Sequence, residues 1–238
     1  MGIPSFDASL PEDFCGEVRL FPLPNVVLFP NVVQALHIFE PRYCDMLEEA
    51  LATDRLITMA SFKPGWESHY LGSPALADEV CIGKILTHTR TSDDRHNILL
   101  AGVKRARLVR EIPTSLAFRR AEVIVLEDVY PEDTAGAVCL RDELLTLLGH
   151  AFGESARESL SQLFTKQLPL GVLTDVIAFS SKIPIDKKIE LLGQVRVECR
   201  CRVLLQFLRQ QANGEMSAKS EPPSVSPENR FPPPFSQN

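Results

Sequence analysis

Residues 21–43 read FPLPNVVLFPNVVQALHIFEPRY, with Pro22, Pro24, Pro30 and Pro41 set among large apolar side chains. Each proline fixes its own φ, supplies no backbone donor and pushes the residue before it away from helical geometry. No regular element can run far through such a stretch. It must be built of short extended pieces joined at sharp corners.

The runs that follow keep this character. VVLF at 26–29, VVQALHIF at 32–39, LITMASF at 56–62, VCIGKILTH at 80–88, NILLAGV at 97–103, ARLVREI at 106–112 and AEVIVLE at 121–127 are rich in β-branched residues, and several alternate with period two. They are read as strands. One helix is expected among them: after Pro41, Tyr43, Met46, Leu47, Ala50 and Leu51 form an apolar stripe that Asp45, Glu48 and Glu49 avoid. Pro41 suits its first turn, where a missing donor costs nothing. TRTSDDRHN at 89–97 reads as a polar hairpin tip, and Gly102 followed by Lys104 and Arg105 as a second tight reversal. Many short strands with one inserted helix imply a closed or nearly closed barrel.

From about residue 131 the period changes to that of helices. Residues 132–152 place Val138, Leu144, Leu145 and Leu148 at helical spacing, and Ser155 with Glu158 has the form of a capping box for a second helix. A third begins at Pro169 and runs over 169–181, and Asp186 is read as the cap of a fourth ending at Gly193. In the last, Val197, Cys201, Leu204, Leu205 and Leu208 share a stripe, with Arg196, Arg200, Arg202 and Arg209 off it. The zones are thus an extension over 1–17, a barrel over 18–130, a helical bundle over 131–212, and a Pro/Ser-rich tail over 213–238 too poor in aliphatic residues to offset its ordering entropy.

At 238 residues and 45% apolar, the chain can bury a sizeable core in one domain or two. Its formal charge of −6 gives no electrostatic reason to expect binding to nucleic acid or an anionic membrane. No run approaches the roughly 18 apolar residues that span a bilayer, and the amino terminus lacks a signal-peptide pattern. A cytoplasmic location is expected. Position 6 is Phe6, where a myristoylation signal requires Ser or Thr. Cys15, Cys44, Cys81, Cys139, Cys199 and Cys201 form no C-x-x-C pair, so most are read as small buried apolar residues rather than disulfides or zinc ligands.

The ordered series FPLPNVVLFPNVVQALHIFEPRYCDMLEEAL (21–51), DRLI (54–57), EVCIGKIL (79–86), LLAGVKRARLV (99–109) and LPLGVLTDVIAFSSKIPIDKKIELL (168–192) resembles the amino-terminal LON domain over roughly residues 18–211. That domain is the substrate-recognition part of ATP-dependent Lon proteases, and also occurs as a stand-alone protein and within cereblon. The resemblance implies an α+β fold: a small PUA-like β-barrel with one inserted helix, followed by an α-helical bundle. At the head of the last helix, where family members often carry an acidic cap, this chain has Arg196.

The remaining question is chemistry. The ATPase of a Lon protease needs G-x-x-x-x-G-K-[ST], yet the one GK pair, Gly83-Lys84, precedes Ile85 in a strand. Ser181 and Lys182 are adjacent on a predicted helix and diverge, and the residues after 211 are expected to leave no room for a peptidase. His37, His69, His88, His96 and His150 show no metal-binding spacing; His88 and His96 flank the hairpin tip and are read as part of a polar turn rather than a metal site. No catalytic residue, metal or cofactor is expected. In FEPRY, Phe39 and Tyr43 are expected to pack the helix onto the barrel, with Glu40 and Arg42 stabilising its entry; a ligand role for this charged pair is the alternative.

A recognition module for unfolded or extended polypeptide needs a contiguous apolar patch with a polar rim. The connection 62–78, FKPGWESHYLGSPALAD, supplies the candidates Phe62, Trp66, Tyr70 and Leu71. It is either that surface or a cover over one barrel end with Trp66 buried. The reading is a non-enzymatic polypeptide binder, an accessory to proteolysis or protein quality control with a protease or chaperone as a further partner. The alternative is an RNA-binding protein that uses Lys104, Arg105, Arg107, Arg110, Arg119 and Arg120 as a basic strip; a peptidase in its own right ranks below both.

Overall fold

The computed structural model describes residues 9–63, 66, 73–91, 93, 95–147 and 168–218, with side chains through 210. Six strands form one sheet: β1 (Glu17–Leu23), β2 (Val33–Ile38), β3 (Leu56–Ser61), β4 (Glu79–Arg90), β5 (His96–Ile112) and β6 (Arg120–Leu126). Helix α1 (Pro41–Ala52) lies between β2 and β3. The helices that follow are α2 (134–147), α3 (Leu170–Ser180), α4 (Ile185–Gly193) and α5 (Val197–Ala218).

The strand order is β2-β5-β4-β3-β1-β6, and β6 also pairs with β5. The pairings therefore run β5–β4–β3–β1–β6 and back to β5. Only β1–β3 is parallel. The 17 residues of β5 make this possible: one edge pairs with β4, while the other serves β2 over His96–Ala101 and β6 over Arg105–Ile112.

The proline-rich stretch turns where expected. Pro-Asn suits the two central positions of a turn that needs positive φ at the second, and Asn25 and Asn31 have φ of 60° and 63°. Between these corners 26–29 is not a strand but an irregular segment that drives Val27, Leu28 and Phe29 into the core. The strand that sequence reading missed is β1, which contains Pro22 opposite Ala60. At Pro22 β1 has β3 as its single neighbour, since β6 pairs only with Glu17–Arg19, so a lost donor is tolerated.

The expected reversal at Gly102 does not occur, because β5 continues straight through it. Gly102 is required for a different reason: a Cβ there would lie 2.0 Å from the Phe29 carbonyl oxygen, where the irregular segment crosses the strand. The hairpin expected at 89–97 is present as β4–β5, closed by the Thr91 amide donating to the Arg95 carbonyl at 2.8 Å.

Two apolar clusters follow from strand alternation. Val18, Leu20, Leu56, Ala60, Leu76, Val80, Ile82, Ala106, Ala121 and Val123 form the smaller, which draws on every strand of the closed circuit and, through Leu76, on the connection after β3, but on no helix. On β1, β3 and β4 the opposite parity, including Phe21, Ile57, Met59 and Cys81, packs against helices; Ile98 and Leu100 of β5 join them although they share the parity of Ala106, because the β4–β5 register shifts between Ile82 and Gly83. The α1 stripe buries Tyr43, Met46, Leu47 and Ala50 there. Val197, Cys201, Leu204, Leu205 and Leu208 of α5 are likewise buried, as their spacing requires.

Several readings are corrected at the ends and margins of elements. Pro184, not Asp186, caps α4, and Asp186 sits in its first turn. Backbone helix continues through Ala218, so 213–218 extend α5. Val138 is 57% exposed although its spacing placed it on an apolar stripe. Phe39 is 57% exposed and does not pack α1, a task done by Tyr43 against Phe21 with ring centres 4.6 Å apart. Cys81 and Cys201 are buried, but Cys15 and Cys139 are exposed. Ser155 and Glu158 lie outside the described residues.

Candidate functional site

β3 ends at Ser61, and Phe62 bridges back to Leu76 across the mouth of the long connection. The Lys63 amide donates to the Ala75 carbonyl at 2.9 Å and the Ala77 amide to the Ser61 carbonyl at 2.8 Å. A Lys63–Asp78 ion pair at 2.9 Å and the Arg119 guanidinium on the Pro74 carbonyl, also 2.9 Å, fasten both ends further. Trp66 stacks on Phe62 with ring centres 5.3 Å apart, and both rings are half-buried. The structure thus joins two of the four candidates in this connection. Tyr70 and Leu71 lie outside the described residues.

Glu40 and Arg42 pair at 2.8 Å on the surface, and the Arg42 guanidinium stands 4.6 Å from the Tyr43 ring centre. The Glu40 carbonyl accepts from the Tyr43 and Cys44 amides, so this corner is tied to the start of α1.

The basic strip is not a field of open cations. Lys104 pairs with Glu127, Arg107 with Glu79, Arg110 with Glu122, Arg119 with Glu111 and Arg120 with Glu17. Arg105 is buried. Its Nη2 donates to both oxygens of Asp175 at 2.8 Å, its Nη1 to the Leu192 carbonyl at 2.8 Å, and its Nε lies 2.9 Å from Asp128 Oδ1.

Sequence reading missed the network around this arginine. Arg200, placed off the apolar stripe of α5, is in fact fully buried. Its Nη2 donates to Asp128 Oδ2 at 2.7 Å, its Nη1 to the Gln194 carbonyl at 2.7 Å, and its Nε to the Thr174 hydroxyl at 2.9 Å, with Asp175 Oδ1 3.4 Å away. Two guanidiniums and two carboxylates balance, and β5, the segment after β6, α3, α4 and α5 are fastened by them. Burial pushes the Asp175 carboxyl up to about 6 against the pull of Arg105 and Arg200. A cleft of about 320 Å³ opens beside the network, lined by Asn31, Lys104, Glu127, Tyr130, Val172 and Asp175 among others. Burial, and then Asp128, raise the Tyr130 phenol. One signal of this was readable: in LGVLTDVIAF, an acidic residue interrupts an otherwise apolar helix, and a buried charge requires a partner.

At the hairpin end, His88 Nε2 and His96 Nδ1 are 2.8 Å apart. No three His, Cys, Asp or Glu side chains among the described residues are grouped to hold a metal ion. No described helix is long and apolar enough to cross a membrane.

The family model for the substrate-binding domain of ATP-dependent protease La (LON) matches residues 17–210. The chain belongs to the Lon substrate-binding domain family. Lon protease 2 of Myxococcus xanthus is 22% identical over 205 residues, covering 84% of this chain and 24% of that protein. The Lon protease of Dictyoglomus thermophilum is 25% identical over 207 residues, covering 84% and 25%. The chain spans about a quarter of the length of the curated relatives it matches. Among solved structures, the N-terminal domain of Mycobacterium avium complex Lon protease aligns with TM-score 0.64 at 19% identity, over 81% of this chain and 98% of that one. The Lon N-terminal domain protein of Xanthomonas campestris aligns with TM-score 0.56 at 20% identity, over 80% and 97%. The mixed α+β fold is shared with both.

Proposed function

We propose that this Lon-family chain recognises polypeptide without cleaving it: it binds unfolded or extended segments in the cytoplasm, as an accessory to proteolysis or protein quality control, together with a protease or chaperone. The match to the Lon substrate-binding domain over 17–210 carries the reading. The closed circuit of strand pairings supports a small PUA-like barrel over 18–130, with a helical bundle over 131–212. The working surface is the connection 62–78. Its fastened ends present the half-buried Phe62–Trp66 stack on a rigid base, which keeps the ordering cost of binding low. Tyr70 and Leu71 of the same connection are further candidates for contacting polypeptide, and Glu40 with Arg42 lie at the entry to α1 as a polar contact.

The RNA-binding reading has less support, because the phosphate-binding cations it needs already hold carboxylates and the chain carries −6. Fluorescence anisotropy with a labelled, permanently unfolded protein and with a structured RNA separates the two. We expect saturable binding of the unfolded protein, weakened about tenfold in Trp66→Ala as for loss of a moderate aromatic anchor, with a melting temperature close to that of the parent. Salt-dependent retention of the RNA alone would overturn this proposal.

A further inference from the structure

We infer that His88 and His96 form a proton-operated latch at the end of the β4–β5 hairpin, closed when the pair holds at most one extra proton and opened by the second.

The geometry is specific. The facing nitrogens are 2.8 Å apart, the ring centres 5.1 Å apart and the ring planes 22° from parallel. This centre separation is that of two rings joined nitrogen to nitrogen along one line, so an N–H of one ring points at the lone pair of the other. A neutral imidazole offers one donor and one acceptor, whereas an imidazolium offers donors alone. The contact therefore survives with neither ring charged, or with one charged and donating. With both charged, two N–H groups and two positive charges face each other, and the rings must separate.

Position converts that separation into opening. His96 is 4% exposed and opens β5, where it stands opposite Arg90 of β4 on one side and Ile38 of β2 on the other. His88 is opposite Ile98, so the pair is a diagonal brace across the last rungs of the hairpin. Among the described residues, the charged groups that act on His88 oppose its protonation. Burial first, and then His96, Arg55 at the head of β3 and Arg90, hold His88 below the ordinary histidine range. In the turn, Asp93 accepts from the Thr91 hydroxyl and pairs with Arg95 at 2.9 Å, while His37 of β2 is bonded to Asn97 at 2.8 Å. A histidine whose folded state resists protonation contributes stability above its unfolded value, near 6.5, and loses it as pH falls through the folded one. Acid should therefore loosen the meeting point of β2, β4 and β5 next to the exposed Phe39, while β1 and β3 stay closed.

Hydrogen exchange of the full chain at pH 7 and at about pH 4.5, corrected for intrinsic rates, tests this. The expected result is a loss of protection of about tenfold or more over residues 85–100 relative to 17–23 and 56–61, and no such difference in His88→Gln. Equal protection of the two regions in the parent at acid pH, or the same hairpin loss in the variant, overturns the proposal. If His88→Gln does not fold, histidine 15N spectra of the parent decide instead. Two imidazolium signals appearing together with the hairpin loss support the latch, and two imidazoliums with the hairpin intact overturn it.

Discussion

Asp175 is the residue on which most of the molecule's buried charge depends. Both its oxygens accept from Arg105, Arg200 is 3.4 Å away, and it is 1% exposed. Removing it leaves two buried guanidiniums sharing one carboxylate, that of the partly exposed Asp128. Asp175→Ala should cost about 3–5 kcal/mol, whereas Asp175→Leu combined with Arg105→Met removes a balanced pair and should recover most of the loss, as urea denaturation would show. The pH dependence has a defined sign. The folded carboxyl holds its proton to about 6 and the unfolded one to an ordinary 3.8, so its contribution to stability is full below 3.8 and is lost as pH rises to 6. Stability of the parent relative to Asp175→Asn, which cannot titrate, should decline over that window and stay level above it. Sequence reading put Arg105 in a surface strip and Arg200 off the apolar stripe. Residue type alone cannot distinguish a solvated arginine from one whose five donors are all met by buried acceptors.

At the scale of elements, the corners of the proline-rich stretch and the stripes of α1 and α5 were legible, because φ restriction and helical spacing act locally. β1 and the unbroken course of β5 were not. A strand containing proline depends on which of its edges is paired, and a glycine in a strand reads equally as a turn or as a close crossing. The observed crossing makes a prediction. In Gly102→Ala the new methyl would meet a backbone oxygen rather than a movable side chain, so the cost should reach about 3 kcal/mol, the upper part of the range for overpacking. Thermal denaturation of this single variant checks it. A loss below about 1 kcal/mol would mean that the Phe29 segment moves aside easily.

For the whole molecule, Cys81 of the sheet and Cys201 of α5 report how the larger apolar cluster, which holds both, opens. Burial raises the Cys81 thiol well above its ordinary value and pushes the Cys201 thiol up to about 12, so neither provides thiolate at neutral pH. Cys15 and Cys139 are exposed. A thiol reagent with mass-spectrometric readout should label the exposed pair at once, and Cys81 and Cys201 only at the rate of opening, which a denaturant should accelerate for both together if sheet and helices unfold as one unit. The candidate surface was half legible in the same sense. An irregular connection holding the single tryptophan could be picked out from composition, but the Phe62–Trp66 stack and the fastened ends of the loop involve partners from β3, the 73–78 segment and Arg119.

The chain's order of residues determined its strands-then-helices organisation, its corners and its family, since these follow from backbone restriction and apolar period along contiguous segments. Tertiary structure alone decided that β5 would serve three neighbours, that three buried charges and the partly exposed Asp128 would meet in one network, and that two histidines eight residues apart would face each other nitrogen to nitrogen. Those outcomes depend on which groups lose water together, and desolvation is a property of the assembled interior rather than of any stretch of sequence.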